Sequence, residues 1–336
     1  MSKLFYFIVP ILILASGITA ATWSSFSESK NDFRRMGGNL RTIEIQIPSF
    51  LEFAGEEFPL ENWTVRQKLE KELRKQLTYP EHIQLLKQRS ARYERPFKEI
   101  LGQYGVPEDF FYLAIAESHL SNVVSPAGAT GFWQLMPATA RNYGLEVSET
   151  VDERYHPEKS THAAARYLRD SYKELQDWTL VAAAYNMGSN GLARAMVRQG
   201  AESYYELKLN KETSHYVFKV LGYKCLLESP ERFGMSFASQ KEELKPVMWR
   251  TVKIQESIPS LNAFAASHQL TYSQLVAYNP WLKGQILNVA PGKTYEIRFP
   301  LSSGLKVDEL VVKGSKLPDT LPSAVEPEEP YLISNA

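Results

Sequence analysis

A single cysteine, Cys225, stands in a chain of 336 residues, so no disulfide can form within it. The segment around it, Tyr216 to Leu227, has a helical apolar pattern, which makes Cys225 a small buried apolar residue rather than a nucleophile. The six histidines lack the His-Glu-x-x-His spacing or any comparable ligand set, and neither a metal nor another cofactor is expected. Charge of one sign is missing too. The 38 basic and 38 acidic residues cancel and no basic cluster stands out, which argues against nucleic acid as a partner. Gly128 and Gly131 lie in a turn-rich stretch, but no Gly-Lys-Ser/Thr follows them, and that excludes a phosphate loop there.

What the chain does have is apolar material. With 44% hydrophobic and 23% charged residues it is ordinary for a globular protein of one to three domains. Lys3 precedes an apolar run from Leu4 to Ala15, and small residues follow through Gly17, Thr19, Ala20 and Ala21, so residues 1–21 read as an export segment. Cleavage near Ala20 or Ala21 gives a soluble exported protein. Leu4 to Ala21 is also just long enough to stay as an N-terminal membrane anchor, and no nearby cysteine could carry a lipid.

The stretch from Pro107 to Gly144 organises the rest. Pro107 suits a first helical position, Glu108 and Asp109 suit a first turn, and Phe110 to Ala116 are apolar nearly all round, as in a helix buried on most sides. Helical spacing sets Glu117 on the stripe of Phe110, Leu113 and Ala114. A carboxyl there is partly desolvated, and its pKa rises towards the range of a general acid. Ser125-Pro126, Gly128 and Gly131 then turn the chain tightly, Trp133, Gln134 and Met136 follow, and Pro137 starts a helix that Gly144 ends. An aromatic and amide lining of this kind suits a sugar.

Around this centre, residues 22–64 read as an N-terminal arm with a strand-like alternation at Thr42–Ile47. Residues 65–229 read as a helical domain that opens with helices over Arg66–Leu77 and Tyr79–Gln103, the second interrupted at Pro96. A polar loop from Val151 to Pro157 holds Asp152, which fits a salt bridge or cap better than a second catalytic carboxylate. Ser160-Thr161 suits the start of a helix running to Leu175. Trp178–Asn186 is another, with Asp177 as N-cap and Gly188 just past its end, where Tyr185 and Asn186 can reach a cleft. Residues 230–247 read as a linker, and 248–301 as a small domain with the order strand, helix, helix, strand. Residues 302–336, rich in Pro, Glu and Ser, read as a disordered tail.

Three stretches carry a family resemblance. Glu117-Ser118 with Ser125-Pro-Ala-Gly128-Ala-Thr-Gly131-Phe-Trp-Gln134-Leu-Met136-Pro137 resembles the first motif of the soluble-lytic-transglycosylase superfamily. Ala184-Tyr185-Asn186-Met187-Gly188 resembles its second motif and Glu212 to Val217 its third, and the chain is most similar to the membrane-bound lytic murein transglycosylase D group. Residues 261–279 resemble a LysM module, degenerate in having Glu256-Ser257-Ile258-Pro259 where Gly-Asp is usual. The resemblance implies a mainly α fold, with a lysozyme-like (goose-type/transglycosylase) helical catalytic domain followed by a small α+β LysM-like domain. It implies cleavage of the β-1,4 bond between N-acetylmuramic acid and N-acetylglucosamine in peptidoglycan glycan strands, with a 1,6-anhydro product, in the bacterial periplasm at or near the inner or outer membrane.

Carried over by position, Glu117 is the single general acid/base. Ser125, Gly128, Trp133, Gln134, Met136, Tyr185, Asn186 and Tyr216 bind substrate, and Ser118 and Gly131 are structural. Phe132-Trp133 replaces the Leu-Met of many relatives, which alters the shape of the cleft. Two other readings stand beside this one: a goose-type-lysozyme-like hydrolase with water as acceptor, and a non-catalytic peptidoglycan-binding protein.

Overall fold

The computed structural model describes residues 45–237 and 249–301; the expected export segment, residues 22–44, most of the linker and the tail lie outside the described residues. Among the described residues no helix is long and apolar enough to cross a membrane. The fold is mainly helical, with a small C-terminal α+β module.

The first ordered pairing is a tight hairpin, β1 (Glu52–Phe53) and β2 (Glu56–Glu57). Ala54 and Gly55 between them have φ of 56° and 80°, the left-handed pair that a two-residue hairpin turn requires. The strand expected at Thr42–Ile47 is not seen over Ile45–Ile47, and residues 42–44 lie outside the described residues. Ile45 and Ile47 pack on the main core as partly buried side chains without pairing to β1 or β2. Leu51, Phe53, Phe58 and Leu60 are buried in the helical core, so this part of the expected arm packs as part of the helical body.

The hairpin also braces two helices. The Glu56 carboxylate accepts from the backbone N–H of Trp178 (2.5 Å) and of Thr179 (2.8 Å) and from the Thr179 hydroxyl (2.9 Å). It thereby satisfies open donors at the start of α6 (Trp178–Met187), where negative charge also suits the helix dipole. The Ala54 N–H donates to Asp109 (2.7 Å), which pairs with Lys224 (2.7 Å). Glu56→Ala leaves part-buried donors unmet and should lower unfolding free energy by about 2–3 kcal/mol, measurable by urea titration. A loss below about 0.5 kcal/mol would show that the contact contributes nothing.

Two long helices follow, α1 (Trp63–Gln76) and α2 (Pro80–Gln103). Asn62 caps α1 by accepting from the Thr64 and Val65 amides. The interruption expected at Pro96 does not occur, and α2 runs through it. Buried Ile83, Leu86 and Ser90 before the proline, and Phe97, Ile100 and Leu101 after it, pack in one body, and that burial outweighs one missing N–H.

A short 3₁₀ turn at Glu108–Phe110 leads into α3 (Phe111–Ser118), and α4 (Pro137–Asn142) follows the glycine loop. The next helix, α5 (Pro157–Leu175), starts a turn earlier than Ser160-Thr161 suggest, because His156 caps it and Pro157 fits its first position. Helix α6 has the expected Asp177 cap on the Leu180 amide and ends at Gly188. Helix α7 (Ser189–Gln199) was not anticipated, although Gly188 and Gly200, both at positive φ, bracket it. Helix α8 (Thr213–Glu228) is buried on most faces and packs against α1, α3 and α6. Phe233, in a 3₁₀ turn over Pro230–Phe233, is buried in the same core, so the helical body continues into the expected linker.

The C-terminal module pairs β3 (Trp249–Ile254) antiparallel with β4 (Tyr295–Pro300), Arg250 opposite Phe299 and Val252 opposite Ile297. Between them lie α9 (Leu261–Ser267), capped by Ser260, and α10 (Tyr272–Tyr278), which starts with a Thr271–Gln274 capping box. Leu261, Ala265, Leu275, Ile297 and Phe299 form its core, and Val151 of the helical body is buried in that same cluster.

Candidate active site

Every residue of α3 is buried except Glu117, which is only partly exposed at its last turn. His119 and Leu120, both at positive φ (53° and 54°), stop the helix and turn the chain away. The Tyr216 hydroxyl, from the first turn of α8, donates to Glu117 Oε1. Lys219, one turn further along α8, donates its ammonium to the Ala116 carbonyl, one of those left open at the end of α3. Burial raises the Glu117 pKa above the usual carboxyl range; the Tyr216 bond and the Lys219 charge pull it back, Glu212 adds to the rise, and the net effect is upward. Burial and the Glu117 charge push the Tyr216 phenol well above its ordinary value, so it stays a donor. Tyr185 is raised for the same two reasons, and its hydroxyl donates to the Trp133 carbonyl (2.7 Å).

The glycine loop beside α3 is built from its own backbone. Ser125 N–H donates to the Ala129 carbonyl (2.8 Å), Gly128 N–H to the Ser125 carbonyl (2.8 Å), and Gly131 N–H to the Val123 carbonyl (2.9 Å). Ser118 Oγ donates to the Phe132 carbonyl (2.8 Å) and ties the loop to the helix that carries Glu117. Beneath the loop lies a buried ion pair, Arg154 Nη2 to Asp152 Oδ2 at 2.7 Å and Nε to Oδ1 at 2.9 Å. The remaining Arg154 nitrogen, Nη1, donates to the carbonyls of Gly128 (2.9 Å) and Leu135 (3.1 Å). Asp152 is therefore held by Arg154 on both oxygens.

Several residues expected to meet substrate are placed otherwise. Trp133 is fully buried, stacked on Phe97, with its indole N–H on Thr161 Oγ1 (2.8 Å); the turn at positive-φ Gly131 and Gln134 folds Phe132 and Trp133 into the core. Only its carbonyl faces the site's groups, through Tyr185. Gly128 is a turn former, its N–H held by the Ser125 carbonyl and its own carbonyl by Thr130 and Arg154. The Gln134 amide nitrogen donates to the carbonyls of Val123 (3.0 Å) and Gly131 (2.8 Å), so it shapes the loop.

Asn186 donates to Glu212 (2.8 Å) and accepts from Thr213 Oγ1 (2.8 Å), which joins the end of α6 to the start of α8. Ser125 is partly exposed, and its Oγ accepts from the Ala129 N–H (3.1 Å), which leaves its O–H to donate. Met136 is exposed at the head of α4. Ser118 and Gly131 are buried framework.

Two groups escaped the sequence reading, Lys219 and Arg154. The spacing of Tyr216 and Lys219, three apart on a helix, placed both on one face; nothing local marked Arg154 as the partner of a loop more than twenty residues upstream.

Just past Glu117 sits a second titratable cluster. His119 lies edge-on to His82 (4.5 Å) and its Nε2 meets the Tyr223 hydroxyl (3.0 Å). Burial, helped by His82, Lys219 and Arg89, lowers the His119 pKa to about 4. The folded state keeps this ring neutral, so its contribution is complete above the ordinary value of 6.5 and is lost as pH falls towards about 4. In His119→Asn, whose side chain tolerates the left-handed backbone, unfolding free energy should fall less steeply between about pH 7 and about pH 4 than in the wild type. Parallel slopes would remove the ring from the account.

Residues 95–208 match the family described as Transglycosylase SLT domain, and residues 250–303 match Soluble lytic transglycosylase C-terminal LysM-like domain. The chain carries an SLT transglycosylase domain followed by a LysM-like domain. Membrane-bound lytic murein transglycosylase D of Escherichia coli K12 is 30% identical over 274 residues, covering 75% of this chain and 58% of that protein. Membrane-bound lytic murein transglycosylase F 2 of Alkalilimnicola ehrlichii is 34% identical over 124 residues, covering 34% of this chain and 26% of that protein. The chain thus spans less than two thirds of these relatives' length. Among solved structures, an inactive mutant of the lytic transglycosylase Slt of Pseudomonas aeruginosa aligns at 21% identity over 44% of this chain and 26% of its own, with a TM-score of 0.35.

Proposed function

We propose that this protein is a peptidoglycan lytic transglycosylase with Glu117 as its single general acid/base. The observation that carries the reading is Glu117 itself: a carboxyl at the end of a buried helix, desolvated so that its proton is held above the usual range, and touched by a buried phenol. Protonated Glu117 gives its proton to the glycosidic oxygen as the C1–O bond breaks, and the resulting carboxylate accepts the proton of the C6 hydroxyl, whose oxygen closes on C1. No water is consumed, and the product is a 1,6-anhydro-N-acetylmuramic acid end. Tyr216 holds the carboxyl in place, and the substrate's own N-acetyl group supplies the stabilisation a second carboxylate would give. Ser125, with its free O–H, and exposed Met136 are the loop residues that meet the sugar.

The hydrolase alternative needs a second carboxylate free to activate water. Asp152 is the one the sequence offers, and both of its oxygens are engaged by Arg154. The chain would act after export to the periplasm, where residues 1–21, if retained, hold it at a membrane.

Digestion of purified peptidoglycan in heavy-oxygen water separates the two chemistries. Anhydro-muramyl ends, lighter by one water and free of the label, are expected. Labelled reducing ends would make the protein a hydrolase, and wall binding with no cleavage at all would make it a binding protein.

A further inference from the structure

The C-terminal module touches the helical body at the segment that carries Asp152 and Arg154. Val151 bridges antiparallel to Leu282, with the Asp152 N–H donating to the Trp281 carbonyl (2.9 Å) and the Lys283 N–H to the Thr150 carbonyl (2.9 Å). The Val151 side chain lies in the module's core, completely buried. Side chains fix the same contact from both ends. Glu146 accepts from the Lys293 ammonium and from the Tyr295 hydroxyl (2.7 Å), and Glu158 pairs with Arg298 (2.9 Å). Within the helical body, Glu153 donates its backbone N–H to the Glu146 carbonyl (2.9 Å) and accepts the Glu146 N–H on its carboxylate (2.8 Å), which closes residues 146–153 into one unit.

That unit presents Arg154 to the glycine loop. The guanidinium is buried, fixed on one side by Asp152 and bonded on the other to the carbonyls of Gly128 and Leu135, at the two ends of the loop. The backbone of Arg154 is just as close to the loop. A Cβ at Gly131 would lie 2.0 Å from the Arg154 carbonyl oxygen. The loop is in turn tied to α3 by Ser118. A continuous chain of contacts therefore runs from β4 of the module, through residues 146–158, to the loop beside Glu117.

We infer that Arg154 is a positioning residue for the glycine loop and that the docked C-terminal module holds it there. The module is thus a working part of the catalytic site in addition to any affinity it has for glycan. Its position is fixed by an antiparallel backbone bridge, a shared core residue and two ion pairs. A flexible tethered arm would need none of these. Displacement of a loop by about 1 Å is enough to lower turnover strongly when groups must be held in reacting geometry. The catalytic consequence rests on the lytic reading above; the mechanical one does not.

The test uses the full chain with Glu146→Ala/Arg298→Ala, which removes the ion pairs and the Tyr295 hydrogen bond that hold the module without touching the loop, and with Arg154→Lys, which keeps the charge but cannot span Asp152 and two carbonyls. Hydrogen exchange of the amides over residues 123–136 should quicken about fivefold or more in both variants, while α6 and α8 keep their protection. Turnover should fall about tenfold or more with KM and wall binding within about twofold. Unchanged loop exchange in the docking variant, with α6 and α8 intact, overturns the inference whether or not the protein cleaves glycan. Faster exchange with no catalysis in the wild type would leave the positioning in place and refute the lytic reading. If the double variant does not fold, Tyr295→Phe, which removes one hydrogen bond to Glu146, gives the same exchange comparison in milder form.

Discussion

Glu117→Gln should lower glycan cleavage by about 10³-fold or more, because one group serves as both acid and base and its loss removes both steps. The amide has the same shape and can still accept from Tyr216, so the fold and substrate binding should survive. Stability offers an independent check with a definite sign. The folded-state pKa of Glu117 is raised by burial, so ionising it at higher pH costs the folded state free energy that it does not cost the unfolded chain. That cost is absent below the ordinary carboxyl pKa and grows as pH rises above it. Glu117→Gln should therefore unfold at a higher temperature than the wild type near neutral pH and at the same temperature in acid. A variant that is inactive and also less stable at neutral pH would point to a structural role for the carboxyl instead.

Gly131→Ala should destabilise the protein by about 2–4 kcal/mol, through overpacking and a left-handed backbone together. The position has φ of +81°, and the added Cβ would sit 2.0 Å from the Arg154 carbonyl oxygen and 2.9 Å from its carbon. Backbone on the far side cannot rotate out of the way as a side chain could. Either the loop or residues 152–155 must move. Gly128→Ala is the matched control: φ is +84° there, but nothing lies within 4 Å of the new carbon. Only the backbone term remains, about 1–2 kcal/mol. Thermal unfolding of the two variants separates close approach from conformation, and equal losses would mean that the contact with Arg154 is unimportant.

The contrast between these glycines shows what was legible in the chain. Their presence marked a turn, and the apolar run of α3 placed Glu117 on a buried stripe, because local composition determines both. Asp177 likewise stood out as a cap, and the structure has it accepting a backbone N–H. What could not be read was set by distant partners. Trp133 looks like a cleft residue in a motif rich in sugar-binding types, but two positive-φ residues turn it into the core against Phe97. Pro96 looks like a break, but packing on both sides carries the helix through. Glu56 gives no local sign of capping a helix more than a hundred residues away. Arg154 has the appearance of a loop charge until the loop above it is in view.

The most direct test of the central claim is mass spectrometry of the muropeptides released from purified peptidoglycan by the wild type and by Glu117→Gln, compared at equal binding to the wall. Anhydro-muramyl products from the wild type and none from the variant are the predicted result. Anhydro products released by Glu117→Gln at a comparable rate would contradict the assignment of Glu117 as the acid and base.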